Sequence, residues 1–429
     1  MTPTSVRTEA IAGVTTFFTM AYIVVVNPAI LSTPGTGIAF SGALTATVLI
    51  CFTMTLLMGL YAKLPFGVAP GMGINAFFAY TIILTQGVWW QTALGIVFWA
   101  GVLFLLISVT PVRETIAKAI PSELRIGTAA GIGIFLTFIG LKNAGVITSD
   151  PITLVTLGKL DETTFIGILG MVLMIFLSTR SSSLAYLAGM FFITVVALLR
   201  GYLNAPPQLI SPPDFHTVFL KLDILGALKL SLLPAIVTLL FTDLFDSVST
   251  FMGVSHASGL LDEDGNPKNL RQGLIVDSFA TFGAGLAGTS PGTAYIESIA
   301  GINVGGRTGL TAVFTALCFL PCFFLAPLAG MVPPYATAPV LILVGATMFK
   351  SVAQINFGKI EEGLPAFLTI ILIPLTFSIT QGILWGFIAH VGLYLIVGRR
   401  KEIHPVMYVL ALVAIGLLLL EHSKLPEYL

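Results

Sequence analysis

Four carboxylates interrupt the apolar stretches of this chain: Asp243, Asp246, Asp277 and Glu297. A charge at the centre of a membrane helix costs about 2.5 to 3.5 kcal/mol on the mildest insertion scale, so acids in such places mark substrate or ion pathways. Asp243 and Asp246 stand three apart on one helical face of LLFTDLFDSVSTF, among Thr242, Ser247, Ser249 and Thr250. No Lys or Arg shares these stretches, so no obligatory buried ion pair is evident. A carboxyl that can be neutralised is suited to carrying a proton, and Asp243 and Glu297 are the candidates. The plainer reading, that an acid caps a helix or satisfies broken backbone, fits Asp277 best, because it lies near the end of its stretch; Asp246 admits both readings.

Two Pro-Gly breaks position these groups. Pro70-Gly71 and Pro291-Gly292 lie 291 − 70 = 221 residues apart, close to half of the 429-residue chain. Each is soon followed by a polar side chain, Asn75 in PGMGINAFF and Glu297 in PGTAYIESIAG. Proline removes an N-H and glycine permits unusual dihedrals, so each break predicts extended backbone before a short helix. Such backbone survives in a membrane only where it is buried in protein or lines a cavity. Matching breaks in two halves are the mark of a secondary transporter with a site at mid-membrane. Helix starts near residues 73 and 294, with Asn75, Asp243 and Glu297, offer donors and acceptors for a small planar polar molecule. Glu297 is expected to face Asp243. Phe77, Phe78 and Tyr295 are near enough to stack on a ring, although aromatics beside such a motif commonly pack between helices.

Composition requires that setting. With 56% hydrophobic and 9% charged residues and a mean hydropathy of +0.98, the chain is a polytopic membrane protein. Apolar runs fall at 10-32, 43-61, 68-85, 90-110, 123-142, 163-179 and 182-200, then at 228-256, 270-287, 290-305, 308-331, 337-351, 363-379 and 381-398. Seven plus seven spans imply a duplication whose odd count inverts the second half. With a cytoplasmic N-terminus, fourteen basic residues between Arg7 and Lys401 fall inside, against five outside: Lys142, Lys159, Arg200, Lys221 and Lys229. That bias supports the topology and a cytoplasmic end after the fourteenth span. The run 404-420 is marginal: a further crossing, an interfacial helix, or a sign that 363-398 forms one bent span.

Other chemistries find little footing. Zero net charge, 20 basic against 20 acidic residues, gives no field for nucleic acid. Cys51, Cys318 and Cys322 lie in apolar stretches and read as packing. The five histidines have no HExxH or CxxC spacing, so neither a metal centre nor a membrane-embedded enzyme is indicated. No GxxxxGK[ST] occurs, so no ATPase motif supplies energy and an ion gradient is expected to. MTPTSVRTEA leads into the first span without a cleavage site, which suggests no removable signal peptide. An anion carrier would be expected to show a cation near the breaks, and none is visible in those segments.

PGMGINAFFAY, TDLFDSVSTFMGV and GTSPGTAYIESIAGINVGGRTGLTAV, with the early AYIVVVNPAIL, resemble the signatures of AzgA-like guanine/hypoxanthine/adenine permeases, over essentially the whole chain. That family lies in the nucleobase-ascorbate transporter superfamily. The resemblance implies an all-α, uracil-permease-like fold of seven plus seven inverted spans, with short extended segments in spans three and ten. It implies core segments 1-110 and 228-332 and gate segments 111-227 and 333-429, with a homodimer contact through the gate. By resemblance Gly73 and Asn75 match the third-span substrate motif, Glu297 the acid that binds the base, and Asp243 the acid linked to binding and proton coupling; Asp246 shares that motif. Ser249 replaces the usual glycine. The expectation is a purine nucleobase importer of the inner or plasma membrane, coupled to protons rather than sodium and without a cofactor, with uracil, xanthine or a small anion as alternative cargo. A carboxylate takes two N-H groups side by side, which suits a purine edge.

Overall fold

The computed structural model describes residues 5–110, 119–180, 182–261 and 267–422. Their elements follow the expected spans closely. Among the described residues, eight helices are long and apolar enough to cross a membrane, and shorter apolar helices, Met72–Thr85, Ala185–Leu199, Gly309–Phe324 and Pro405–Leu419, fill intervening places. Large apolar side chains that face outward, such as Leu106, Phe165, Leu169 and Phe176, suit contact with lipid rather than water.

Local chemistry sets the boundaries. The first helix starts at Ser5, whose hydroxyl accepts from Thr8 N at 3.1 Å, a normal cap. The second-span helix Phe40–Leu57 widens into a π-turn, Met58–Ala62, and is halted by Lys63 in the left-handed region at φ 56°. The chain then runs extended into a short strand, Val68–Pro70, before the helix Met72–Ala76. In the second half the strand Gly292–Ala294 precedes the helix Ser298–Asn303.

These strands pair with each other. Their antiparallel register sets Val68 against Ala294, Ala69 against Thr293 and Pro70 against Gly292. Gly71 N donates to Pro291 O and Tyr295 N to Gly67 O, both at 2.9 Å. The 221-residue offset turns the pair 70:292 into 291:71, which is the same ladder read from its partner, as a two-fold relation requires. The remaining backbone is satisfied by side chains: Val68 N by Thr55 Oγ1 at 2.9 Å, Gly67 N by Ser298 Oγ at 3.0 Å, and Ala294 N by Asp277 Oδ2 at 3.2 Å. Broken backbone is thereby kept paired inside the bundle.

Two packing sets surround this ladder. The fourth-span helix Trp90–Val109 lies on Leu270–Ala287, with Gly101 against the Thr281–Phe282 backbone, and the first helix lies on Gly309–Phe319. Separately, Ser122–Asn143 packs on Pro334–Phe349, where Gly133 and Gly345 abut each other's carbonyls, and on Ile360–Thr376. Small residues permit such close approach between membrane helices.

One sequence expectation changes, and one open alternative falls away. The connection after the fifth span carries an exposed hairpin, Ile147–Asp150 with Leu154–Leu157, turned where Asp150 Oδ1 accepts from Ile152 N and Thr153 N at 2.8 Å each. The separate spans expected at 363-379 and 381-398 are present, and the alternative of one bent span is not. Ile360–Thr376 and Ile379–Ile396 form an antiparallel pair reversed at Phe377, φ 51°, with Gly382 against Ile373 and Gly386 against Thr369. Pro405–His422 is a separate helix packed on the latter; its outward face keeps Val409, Leu412 and Leu419 exposed.

Candidate functional site

The paired breaks border a cleft of two contiguous cavities. The larger, about 90 Å³, is lined by Tyr22, Gly71, Gly73, Asp246, Tyr295 and Glu297, among others. The smaller, about 40 Å³, is lined by Gly73, Arg125, Thr128, Thr242, Asp246 and Ser249, among others. Gly73, Asp246 and Met348 belong to both and stand at their junction. Gly73 can only be small here, because a β-carbon would enter Ile132.

Glu297 sits half-buried just before the helix Ser298–Asn303. The hydroxyl of Tyr22 donates to its Oε1 at 2.6 Å, and the Tyr22 ring meets Tyr186 edge-on at 5.1 Å. One carboxylate oxygen is thus fixed in direction by a residue of the first span, where the helix pauses between Met20 and Ile23. Tyr295 lines the same cavity with its ring, since its hydroxyl is spent on Pro70 O.

Asp243 and Asp246 part company. Three helical residues turn through about 300°, leaving some 60° between the two side chains, enough to address different neighbours. Asp246 lines both cavities. Asp243 is fully buried and accepts from the Thr281 hydroxyl of the ninth span, which also lies 3.2 Å from Gly292 O. Asp246 and Glu297 line the larger cavity together, whereas Asp243 lines neither cavity. Glu297 therefore shares the cleft with Asp246 instead of facing Asp243 across it. Asp277 serves the broken backbone, taking Ala294 N and, at 3.3 Å, the Thr293 hydroxyl, while Thr293 also meets Ser247 at 3.2 Å.

Asn75 and Phe77 are wholly buried and line neither cavity. Asn75 Nδ2 donates to Asn27 Oδ1 at 3.0 Å. Asn27 in turn donates to Thr47 at 2.8 Å and Thr289 at 2.9 Å, and accepts from Ser290 at 3.2 Å. This buried knot ties the first three spans to the residues before the second break. Among the described residues, Asn75 Oδ1, Asp243 Oδ1, Asp277 Oδ1, Thr242 Oγ1 and Arg125 Nε are buried without a hydrogen-bond partner. Unpaired polar atoms are costly away from water; of these, Thr242 and Arg125 line the smaller cavity, while others such as Gln91 Oε1 and Tyr335 Oη lie elsewhere in the bundle.

Sequence reasoning missed three residues. Tyr22 and Asn27 both lie in AYIVVVNPAIL, a signature that carried them without a charge to single them out. Arg125 stands near the start of the fifth span and counted only toward topology. The expectation of no cation near the breaks is corrected here: the fold lays Ser122–Asn143 against Met72–Ala76 and Leu233–Ser258, which brings Arg125 into the cavity that Asp246 lines.

The architecture is shared with solved transporters. The transmembrane domain of a cyanobacterium bicarbonate transporter, BicA, aligns with a TM-score of 0.67 at 17% identity, covering 89% of this chain and 97% of that one. SLC26A9 aligns at 0.62 and 9% identity, over 92% of this chain and 65% of its own. Sequence relatives are nearer. The adenine permease AdeP of Escherichia coli (strain K12) is 42% identical over 413 residues, 96% of this chain and 92% of that protein. The guanine/hypoxanthine permease PbuO of Bacillus subtilis (strain 168) is 39% identical over 418 residues, 95% of this chain and 96% of that protein. The model of the Permease family matches residues 7–385. A multi-pass helical bundle whose Pro-Gly breaks meet beside a polar cleft, matched by that model over most of its length, belongs to the Permease family.

Proposed function

We propose that this protein is a secondary transporter that imports purine nucleobases by proton symport and alternating access, with the cleft at the paired breaks as its binding site. The observation that carries this reading is Glu297: a carboxylate aimed by Tyr22, in a cavity edged by the Tyr295 ring and completed by Asp246. A carboxylate receives adjacent N-H groups of a purine, and a ring face suits a planar base. Relatives named as adenine and guanine/hypoxanthine permeases, spread over nearly the whole chain, support the cargo class. Segments 1-110 and 228-332 act as the core that carries the base, and 111-227 and 333-429 as the gate. Gly73, Tyr295, Glu297 and Asp246 contact the base in this reading. Asn75 and Phe77 shape the wall behind it, and Asp243 with Glu297 carries the proton linkage. The protein resides in the inner or plasma membrane with a cytoplasmic N-terminus, and a homodimer through the gate fits the same plan.

Arg125 favours a second reading, an anionic cargo, because a cation lines the smaller cavity. The names of the sequence relatives favour the nucleobase. Uptake of labelled guanine, hypoxanthine and adenine into proteoliposomes, with and without an uncoupler and against bicarbonate or sulfate as competitors, separates the two. Glu297→Gln and Asp243→Asn are expected to lower purine uptake at least tenfold. Undiminished, still proton-dependent uptake in both variants would sink the assignment. Recovery of chemically unchanged base from the vesicles separates transport from catalysis.

A further inference from the structure

We propose that a basic cavity at the ends of the second, ninth and eleventh spans binds the phosphodiester headgroup of an anionic phospholipid. The cavity, about 540 Å³, is lined by Lys63, Lys268 and Arg307 together with Leu60, Leu64 and Leu310, among others. It lies away from the transport cleft and shares no lining residue with it.

Position in the membrane argues for a headgroup. Lys63 terminates the apolar second span, Lys268 stands two residues before the ninth-span helix Leu270–Ala287, and Arg307 two residues before the eleventh-span helix Gly309–Phe319. All three charges therefore sit where apolar helix gives way to polar surroundings, which is headgroup depth. Beside the cavity, Leu60 is 63% exposed, Tyr61 49% and Leu310 45%. These apolar side chains would be costly against water and suit acyl chains, so the site offers cations above and hydrocarbon contact below.

The cations are held ready. Asn269 Nδ2 donates to Ala62 O at 3.0 Å, clamping the start of the ninth span to the end of the second. Arg307 Nη1 is fixed by Ile302 O at 2.9 Å and Gly306 O at 3.2 Å. Gly59 and Gly309 abut backbone to backbone and close one wall. Among the described residues, no acid lines the cavity. Behind them, Glu9 accepts from Arg307 N at 3.2 Å, Thr308 N at 3.4 Å and the Thr311 hydroxyl. Among the described residues, Lys63 and Lys268 form no ion pair. Asp262, Glu263 and Asp264, which precede Lys268 in the chain, lie outside the described residues. A free inorganic anion could use the charges but would leave the leucines unmatched, so the two-part lining selects a lipid.

The test is lipid retention by native mass spectrometry of the purified, delipidated transporter titrated with phosphatidylglycerol or phosphatidylcholine. Wild type is expected to retain phosphatidylglycerol preferentially. The double variant Lys63→Gln/Lys268→Gln is expected to lose that preference roughly thirtyfold, the worth of two basic residues at a membrane surface. Lys221→Gln/Lys229→Gln, at the other end of the spans, is expected to retain it. Millimolar inorganic phosphate is expected to leave the lipid in place. Equal retention of both lipids, unchanged retention in the first variant, equal loss in the second, or displacement by phosphate would each overturn the proposal. Size-exclusion profiles matching wild type establish that the variants are folded.

Discussion

Arg125 shows how much one residue's meaning depends on tertiary neighbours. In the sequence it is one of many basic residues at span ends; in the folded chain it lines a small cavity with Asp246, its Nε buried without a hydrogen-bond partner. Its guanidinium only donates, so beside an acid and the hydroxyls of Thr128 and Thr242 it sets the polarity of that chamber. Among the described residues Arg125 forms no ion pair, so its charge acts on whatever enters the chamber rather than on a fixed partner. Arg125→Gln is expected to lower the initial rate of hypoxanthine uptake into proteoliposomes at least tenfold, with Arg125→Lys recovering part of it. Wild-type rates in Arg125→Gln would reduce the residue to a topological charge. The acids were legible as exceptions to hydrophobicity, but the 60° that separates Asp243 from Asp246 on their helix only acquires meaning once two different neighbours are in place.

At the scale of elements, the ladder between Val68–Pro70 and Gly292–Ala294 explains why each break needs the other. Neither strand could cross hydrocarbon alone, since its N-H and C=O groups would be unpaired. The Pro-Gly dipeptides and their spacing revealed where the helices break. Their pairing is a contact between halves that no local signal encodes. Asp277 exposes the energetic logic: its Oδ2 takes the Ala294 N-H that the ladder leaves free. A buried donor stranded by truncation costs about 1 to 3 kcal/mol. Asp277→Ala should therefore lower the thermal unfolding midpoint by several degrees, whereas Asp277→Asn, which keeps an acceptor oxygen, should stay close to wild type and retain proton-dependent uptake. If Asn is as damaging to coupling as Ala, with stability intact, the charge itself matters and Asp277 joins the transport site.

For the whole molecule, span positions and the two-half arrangement were readable because membrane helices must be long and apolar and because the Pro-Gly breaks recur at a matching place in each half. The exposed hairpin after the fifth span was not, since it turns on a few residues between apolar runs. The proposed division into core and gate makes a mechanical claim: the boundary must slide if the base is to cross. That boundary includes the edge-on contact of Phe241 on the eighth span with Phe387 on the fourteenth, 6.0 Å between ring centroids. With Cys51, Cys318 and Cys322 replaced by serine, cysteines at 241 and 387 joined by a short bifunctional thiol reagent should halt uptake, and cleavage of the linker should restore it. The same reagent across Gly133→Cys and Gly345→Cys is a poor control, because those positions cannot hold a side chain without forcing the helices apart. Each single cysteine at 241 or 387, treated alike, supplies the comparison. Full uptake in a demonstrably cross-linked protein would mean that these two helices move as one body, and the boundary between carrier and gate would have to be drawn elsewhere.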